Sequence, residues 1–276
     1  MEDTALDLIF ARPAAWLIPV FILTCLPASA GTYREIPVGA SGTISGSVTF
    51  SGEIPPPQVF RIRDFPDYRF CNTVSNGNGD RVVPVARVGK DGALQDAVVY
   101  IEDIESGKPF KYGGTQINAE NCEFLVQNEP SSRTGVVVDG GEFRVLNLDA
   151  DPSRAQTAAG LDHTPQAYEI LGGKKTTLFK LLVATKGKTS RRKIELKYKN
   201  SSILVECAVH NYMQVHFLPV RNPYFGIVGE DGRFAIDRIP PGRYKVRAWH
   251  PAFGTLEETA EVGPDQTVKL DFAYKN

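Results

Sequence analysis

The sequence is poor in the side chains that bind transition metals, and it lacks any sustained helical pattern. Among its 276 residues there are only four His, four Cys, two Met and two Trp. The charges nearly cancel, with 31 Lys and Arg against 32 Asp and Glu, so no excess of positive charge favours nucleic acid as a partner. Beyond residue 30, no stretch repeats apolar residues at a helical period between caps. We therefore expect neither a helical fold nor a nucleic acid partner.

Catalytic motifs are missing as well. The chain has no Gly-x-Ser-x-Gly elbow, no phosphate-binding loop and no Cys-x-x-Cys-His haem attachment motif. Paired carboxylates in a recognisable context are also lacking. The sequence therefore predicts a protein that is not an enzyme.

The first 30 residues resemble a secretory signal peptide. An uncharged apolar run from Ala14 to Leu26 ends in Pro27-Ala28-Ser29-Ala30, which offers a small-x-small cleavage site after Ala30. The run is too short to span a bilayer, so no stable membrane anchor is expected, and Cys25 lacks the small neighbour of a lipoprotein signal. The acidic start is atypical and favours a true start further downstream. These features predict a periplasmic or extracellular protein with 30 basic and 29 acidic residues after cleavage.

Apolar and polar residues alternate at a period of two through most of the chain. Ile44, Val48 and Phe50 share one face of a predicted strand, and residues 97–101 form the continuous apolar run of a buried strand. Turn sequences such as Asp139-Gly140-Gly141 separate these segments, which is typical of all-β sandwiches. Further strands are predicted at 123–127, 134–138, 142–148, 177–183, 193–198 and 203–209.

Two turn sequences near the C-terminus carry a first family resemblance. Glu230-Asp231-Gly232-Arg233-Phe234 and Ile239-Pro240-Pro241-Gly242-Arg243-Tyr244 resemble the second half of a carboxypeptidase regulatory-like domain, a transthyretin-type β-sandwich. Segments 42–50 and 96–101 resemble its opening strands. The fold is an accessory one, so the resemblance implies no peptidase activity.

The resemblance implies a domain plan for the mature chain. Residues 31–104 hold the first strands of the regulatory-like sandwich, with an irregular segment at 54–80, and residues 221–276 hold the rest. A second sandwich occupies residues 105–220. Either the regulatory-like module is discontinuous, with the second sandwich inserted into it, or a continuous middle domain is followed by a separate C-terminal one.

Three of the scarce residues lie close together as Cys207-Ala-Val-His210-Asn-Tyr-Met213. Thiolate and imidazole bind copper strongly in a trigonal plane, and a methionine thioether supplies a long axial contact. A strand ending at Cys207 would point its sulfur inward, and a short loop would bring His210 and Met213 to the same point. The alternative is coincidence, because a buried free Cys beside a core Met is common.

This loop resembles the ligand loop of cupredoxins, the amicyanin/plastocyanin-like type 1 copper domains, and its two-residue gaps are those of amicyanin. The resemblance implies a cupredoxin-like Greek-key sandwich, one type 1 copper ion and outer-sphere electron transfer. It also implies a redox partner protein such as a c-type cytochrome or a dehydrogenase. The exposed edge of the His210 imidazole would be the electron port.

A cupredoxin needs a second imidazole from the end of an earlier strand. The resemblance assigns this role to His163, after the strand that ends in Val145-Leu-Asn-Leu-Asp149. Residues 150–162 look like an insertion, and Thr164-Pro165 stands where the family has Asn-Val, which we expect to shift the redox potential or loosen the site. The alternative for His163 is a solvent-exposed loop histidine.

Beyond residue 30 the chain has three cysteines, so an oxidising compartment leaves one unpaired. The simplest pairing joins Cys71 to Cys122 and stabilises the fold by about 2 to 4 kcal/mol. Cys207 would then be free to bind metal. A disulfide at Cys207 would instead exclude a copper site.

Four other features have two interpretations each. His216 and His250 are candidates for extra metal ligands, but neither has ligand spacing to a second donor, so we expect structural or surface roles. Trp249 is expected in the core or in a seam between modules rather than in a sugar-stacking platform. The basic run 188–193 is expected to be a solvated hairpin tip, with a docking patch for an acidic partner as the alternative.

The leading prediction is therefore electron transfer through a copper ion held by His163, Cys207, His210 and Met213. One alternative is a protein that binds copper for storage or delivery. Another is a cupredoxin-like interaction module of the cell envelope that holds no metal.

Overall fold

The computed structural model describes residues 33–127, 129–150 and 159–275. Strands make up 52% and helices 6% of the protein, which confirms the all-β expectation. The predicted signal peptide, residues 1–30, lies outside the described residues. Within the described ranges, no helix is long and apolar enough to cross a membrane.

The strands and helices have the following bounds. In chain order the strands are β1 (Arg34–Glu35), β2 (Gly42–Ser51), β3 (Gln58–Arg61), β4 (Asp80–Val83), β5 (Val98–Ile101), β6 (Ser106–Gly107), β7 (Thr115–Glu120), β8 (Glu123–Val126), β9 (Thr134–Val137), β10 (Glu142–Asn147), β11 (Ala159–His163), β12 (Pro165–Leu171), β13 (Lys174–Lys180), β14 (Val183–Thr185), β15 (Thr189–Lys193), β16 (Ser202–Cys207), β17 (Gln214–Pro219), β18 (Phe225–Ile227), β19 (Arg233–Ile239), β20 (Gly242–His250), β21 (Gly254–Val262), β22 (Thr267–Lys269) and β23 (Phe272–Lys275). The α-helix is α1 (Tyr68–Cys71), and 3₁₀ turns span Ile62–Asp64, Asn72–Val74 and Lys90–Gly92.

Two sheets combine strands from both ends of the chain, and we call them the terminal sheets. One has the order β18-β5-β20-β21, and the other has the order β19-β2-β22 with β23 beside β2. The face predicted for β2 is buried, because Ile44 and Val48 are fully buried and Phe50 is nearly so. These side chains join one hydrophobic cluster with Tyr224 and Phe272. Residues far apart in sequence therefore share one core.

Two further sheets, the central sheets, use residues from 115 to 219. Their orders are β15-β10-β7-β8 and β13-β12-β16-β17-β9. A second hydrophobic cluster packs Phe143 and Phe217 together with Cys207 and Met213 of the predicted metal loop. The metal loop thus follows β16, which has paired strands on both sides and is a rigid support.

The segment predicted to be irregular, residues 54–80, has regular structure. Strands β3 and β4 pair as an antiparallel hairpin, and α1 and two 3₁₀ turns lie between them. We call residues 58–83 the cap. Ile62 and Val83 of the cap are buried in the same cluster as the metal loop. The short apolar stretches of the cap pack against residues that are distant in sequence. Periodicity within a short stretch cannot predict such packing, so the segment was expected to be irregular.

The basic run is not a hairpin tip. Residues 189–193 form the edge strand β15, which pairs with β10. A strand was predicted at 193–198, but the observed strand ends at Lys193, where the predicted one begins. Arg191, Arg192 and Lys193 are exposed, as expected for a solvated segment. Charged side chains on an edge strand discourage pairing with another chain.

Trp249 lies in a seam between the terminal and central sheets. It packs in a cluster with Val98 and Ile227 of the terminal sheets and with Val136 and Leu218 of the central ones. Trp249 is 7% exposed. Its position confirms the expectation of a seam residue.

His250 is a buried neutral histidine. Its ring is 1% exposed and stacks on Phe253 with ring centroids 4.9 Å apart. Nδ1 accepts a hydrogen bond from the Ala252 N–H at 3.2 Å. Burial lowers the pKa of His250 to about 4, and the opposing effects of Asp96 and the Gln95 backbone are smaller.

We expect acid to destabilise the protein through His250. The unfolded chain binds a proton near pH 6.5, whereas the folded protein keeps His250 neutral until about pH 4. Because the unfolded state binds more protons in this window, the free energy of unfolding falls by about 3 kcal/mol as the pH drops through it. Urea unfolding at pH 7, 5.5 and 4 measures the loss, and His250→Gln should lose about 3 kcal/mol less. Parallel pH profiles for the two proteins would contradict this assignment.

Candidate metal centre

The predicted ligand loop is held in place by backbone hydrogen bonds. The His210 N–H donates to the Cys207 carbonyl at 3.2 Å, and the Met213 N–H donates to the His210 carbonyl at 2.8 Å. The Cys207 N–H in turn donates to the Met213 carbonyl at 3.1 Å. These bonds close the loop between β16 and β17, so that His210 lies beside the thiol of Cys207.

His163 approaches the loop from the end of β11. The next residue, Thr164, donates its backbone N–H to Cys207 Sγ at 3.4 Å, and its carbonyl accepts from the Ala208 N–H at 2.8 Å. Pro165 is paired with Cys207 across β12 and β16. The contacts of Thr164 use its backbone atoms, so they do not depend on which side chains stand at positions 164 and 165.

The structure brings together three of the four predicted metal ligands. The Nδ1 atoms of His163 and His210 lie 4.0 Å and 3.8 Å from Cys207 Sγ. All three ligand atoms lie within 4.8 Å of one another, and the three side chains are completely buried. The alternative of an exposed loop histidine at 163 is therefore wrong. This buried His-Cys-His group could hold a metal ion.

The spacing of the group fits a planar three-ligand site. An ion about 2.0 Å from each nitrogen and about 2.3 Å from sulfur, with angles of about 120°, would hold sulfur and nitrogen about 3.8 Å apart. The two observed separations are 3.8 Å and 4.0 Å. Two imidazoles and one thiolate are also the strong donors of type 1 copper sites. The donor types and the two sulfur–nitrogen separations are therefore compatible with a bound metal ion such as copper.

Met213, the predicted fourth ligand, is 1% exposed and belongs to the same hydrophobic cluster as Cys207. Its backbone bonds to both His210 and Cys207 close the loop. These contacts set the position of its backbone, and its role as an axial ligand stays a prediction.

Each histidine ring has a partner for its outward nitrogen. Nε2 of His163 lies 2.8 Å from Asp149 Oδ2, and Nε2 of His210 lies 3.0 Å from the Pro66 carbonyl oxygen. Both partners accept a hydrogen bond from the Nε2–H, which leaves Nδ1 to face Cys207. Sequence reasoning assigned no role to Asp149 or Pro66. The sequence feature that could have identified Asp149 was its position just after strand β10, which precedes His163 in the chain.

The electrostatics of the group favour a thiolate at Cys207. Burial by itself would raise the pKa of Cys207, but hydrogen bonds from His163, His210 and the Thr164 N–H lower it to about 6. Burial likewise opposes the charge on His163, yet Asp149 and Cys207 raise its pKa to about 9. Thiolate is the form of cysteine that binds metals.

The predicted exposed edge at His210 is wrong, because the cap covers the ring. His210 is fully buried, its Nε2 bonds to Pro66, and the Phe65 ring lies 6.5 Å from it. Phe65 also packs edge to face with Tyr212, the residue of the loop nearest in sequence to Met213, at 5.0 Å. His210 and Pro66 are 144 positions apart in sequence, so the sequence of the loop gave no indication of their contact.

The predicted disulfide between Cys71 and Cys122 is confirmed, and Cys207 is free. The bond joins α1 of the cap to the turn between β7 and β8. Both cysteines are completely buried. An ion pair between Arg81 and Glu123, the first residue of β8, adds a second link close to the same turn.

His216 and His250 lie outside the group. Across the described ranges, His163, Cys207 and His210 are the one set of three or more His, Cys, Asp or Glu side chains close enough to share an ion. Burial lowers the pKa of both other histidines to about 4, which is typical of neutral packed rings.

Comparison with protein-family models and with curated proteins finds no match to this chain.

Proposed function

We propose that the protein is an exported type 1 copper protein that transfers electrons to or from a redox partner. The observation that carries the proposal is the convergence of His163 Nδ1, His210 Nδ1 and Cys207 Sγ within 4.8 Å in a buried site. Met213 would supply the long axial contact. Bound copper would supply one-electron chemistry, while these residues hold the ion and exclude water from it.

The proposed architecture follows the same resemblance. The central sheets would be the cupredoxin-like sandwich, and the terminal sheets would be the regulatory-like one. The order of strands supports a discontinuous regulatory-like module, because β2 and β5 share sheets with strands beyond residue 224. A separate C-terminal domain would pair its strands with one another.

Burial of the ligands favours a resident ion over one held for delivery. Transfer of copper to another protein requires ligands that the recipient can reach, and His163, Cys207 and His210 are all fully buried. A closed site that excludes water also limits the change in solvation when an electron arrives. We therefore place electron transfer ahead of storage or delivery.

A thiol enzyme is the other chemistry that these residues offer. Cys207, His163 and Asp149 lie in the order of a nucleophile, a base and an orienting carboxylate. The nucleophile of such an enzyme must meet its substrate, and Cys207 is 0% exposed. His210 also lies against the sulfur, where a triad needs no second imidazole. Metal binding explains both histidines.

The partner would dock on the cap. Pro66 is exposed at the surface, and its carbonyl oxygen accepts the hydrogen bond from His210 Nε2 at 3.0 Å. One residue therefore separates the buried ring from solvent. A c-type cytochrome or a dehydrogenase placed there would be coupled to the metal through this bond.

Export is supported by two features. Residues 1–30 have the pattern of a cleavable signal peptide. The disulfide between Cys71 and Cys122 is typical of proteins that fold in an oxidising compartment. Both features support the proposal of a periplasmic or extracellular location.

Titration of the metal-free protein with Cu(II) tests the function. We expect an intense visible absorption from a copper-thiolate bond, which saturates at one ion per chain and disappears on reduction. Zn(II) should compete for the site without producing colour. Colourless binding of Cu(I) alone would favour storage, and failure to bind either ion would favour a metal-free module.

A further inference from the structure

Asp149 is a buried carboxylate that accepts three hydrogen bonds. Oδ2 faces His163 Nε2 at 2.8 Å and the Cys122 N–H at 3.0 Å, and Oδ1 accepts from the Asn121 N–H at 2.5 Å. The side chain is 2% exposed. Its own N–H donates to Asn147 Oδ1 at 3.0 Å, which ties it to the end of β10. Asp149 thus has no freedom to turn away from His163.

The turn that donates to Asp149 has an uncommon backbone. Asn121 and Cys122 have φ angles of 53° and 57°, in the left-handed region that residues with a Cβ rarely occupy. This conformation points two successive N–H groups at one carboxylate, as in the backbone nests that bind anions. The same Cys122 is bonded to Cys71 of the cap.

We propose that Asp149 is the positioning residue of the metal centre: by accepting a hydrogen bond from the Nε2–H of His163, it fixes the ring so that Nδ1 faces Cys207. The Asn121–Cys122 turn, cross-linked to the cap, holds Asp149 in place. The inference rests on the proposed metal site at His163 and deepens it. The cap thereby supports both histidines, directly through Pro66 and indirectly through the disulfide.

Only a carboxylate satisfies all three donors. Both of its oxygens accept, whereas an amide at the same place has one NH₂ group that can only donate. If the amide of Asp149→Asn turned its NH₂ toward His163, the Nε2–H that a ring bound to metal through Nδ1 must keep would face a second donor instead of an acceptor. If the NH₂ turned toward Asn121, a buried N–H would lose its acceptor.

The test compares the unmodified protein with Asp149→Asn. ¹H–¹⁵N spectra of the metal-free protein read which nitrogen of His163 bears a slowly exchanging proton. Competition with a coloured Cu(I) chelator reads the affinity. We expect a protected Nε2–H in the unmodified protein, its loss in Asp149→Asn, and a fall in Cu(I) affinity of about 10- to 100-fold.

Asp139→Asn is the matched control. Asp139 also accepts a backbone hydrogen bond, from the Leu196 N–H at 2.9 Å, but it is exposed and lies away from the ligand set. This variant should keep the His163 signal and bind Cu(I) within about twofold of the unmodified protein.

The outcomes separate the inference from the proposed function. A protected Nε2–H that disappears in Asp149→Asn supports the role of Asp149 even if copper does not bind. An unmodified metal-free protein in which Nε2 of His163 bears no proton overturns it, and this result needs no variant to fold. Copper affinity that is equal in the two proteins also overturns it, while leaving the copper site intact.

Discussion

Replacing Cys207 with Ser should abolish the visible copper absorption and most of the metal affinity. The band requires charge transfer from a thiolate to copper, and Cys207 supplies the one sulfur within the His-Cys-His group. Cys71 and Cys122 cannot substitute for it, because they are bonded to each other. Absorption spectra and chelator competition measure the two effects, and we expect a loss of affinity of at least about 1000-fold.

Met213→Leu is the matched comparison for Cys207→Ser. It keeps the buried volume of the loop and the three strong ligands, and it removes only the weak axial contact. The band should therefore persist with a changed position and a higher reduction potential. If Cys207→Ser keeps the band, or if Met213→Leu removes it, the proposed ligand set is wrong.

Loss of the disulfide should free the cap and open the metal centre. The bond closes a loop with a sequence separation of 51 residues, so replacing both Cys71 and Cys122 with Ser should lower the free energy of unfolding by about 4 kcal/mol. Because the cap covers His210, we also expect faster removal of the metal by a chelator. Urea unfolding and stopped-flow chelation measure the two changes.

Arg81→Gln separates the effect of the disulfide from that of the cap's other link. This variant removes the ion pair with Glu123 and keeps the disulfide, so its loss of stability should be about 1 kcal/mol or less. Its chelation rate should stay near that of the unmodified protein. A double Ser variant that releases metal no faster than Arg81→Gln would show that the cap does not control access.

The closed site changes the expected route of electrons. An exposed imidazole edge was the natural expectation from the loop sequence, but the cap places Pro66 between His210 and solvent. The hydrogen bond from His210 Nε2 to the Pro66 carbonyl is a short connection between the buried ring and the surface. The cap therefore lets the site exclude water while the surface remains one residue away.

Several features of the site were accessible from sequence because they are local. Cys207, His210 and Met213 lie within seven residues of one another, and the strand that leads to Cys207 follows from alternation at a period of two. The scarcity of cysteine made the pairing of Cys71 with Cys122 the simplest choice, and the structure has that bond. The edge strand β15 was missed because its exposed basic residues carry no apolar alternation.

By itself, the sequence was sufficient to predict the all-β class, the closeness of Cys207 and His210, and the pairing of Cys71 with Cys122. Residue type and short-range spacing are sufficient for those features. Only the tertiary structure decided that His163 joins Cys207 and His210, that Asp149 contacts the His163 ring and that the cap buries His210. Each of these contacts joins segments distant in sequence, and such contacts depend on how whole sheets pack rather than on any local pattern.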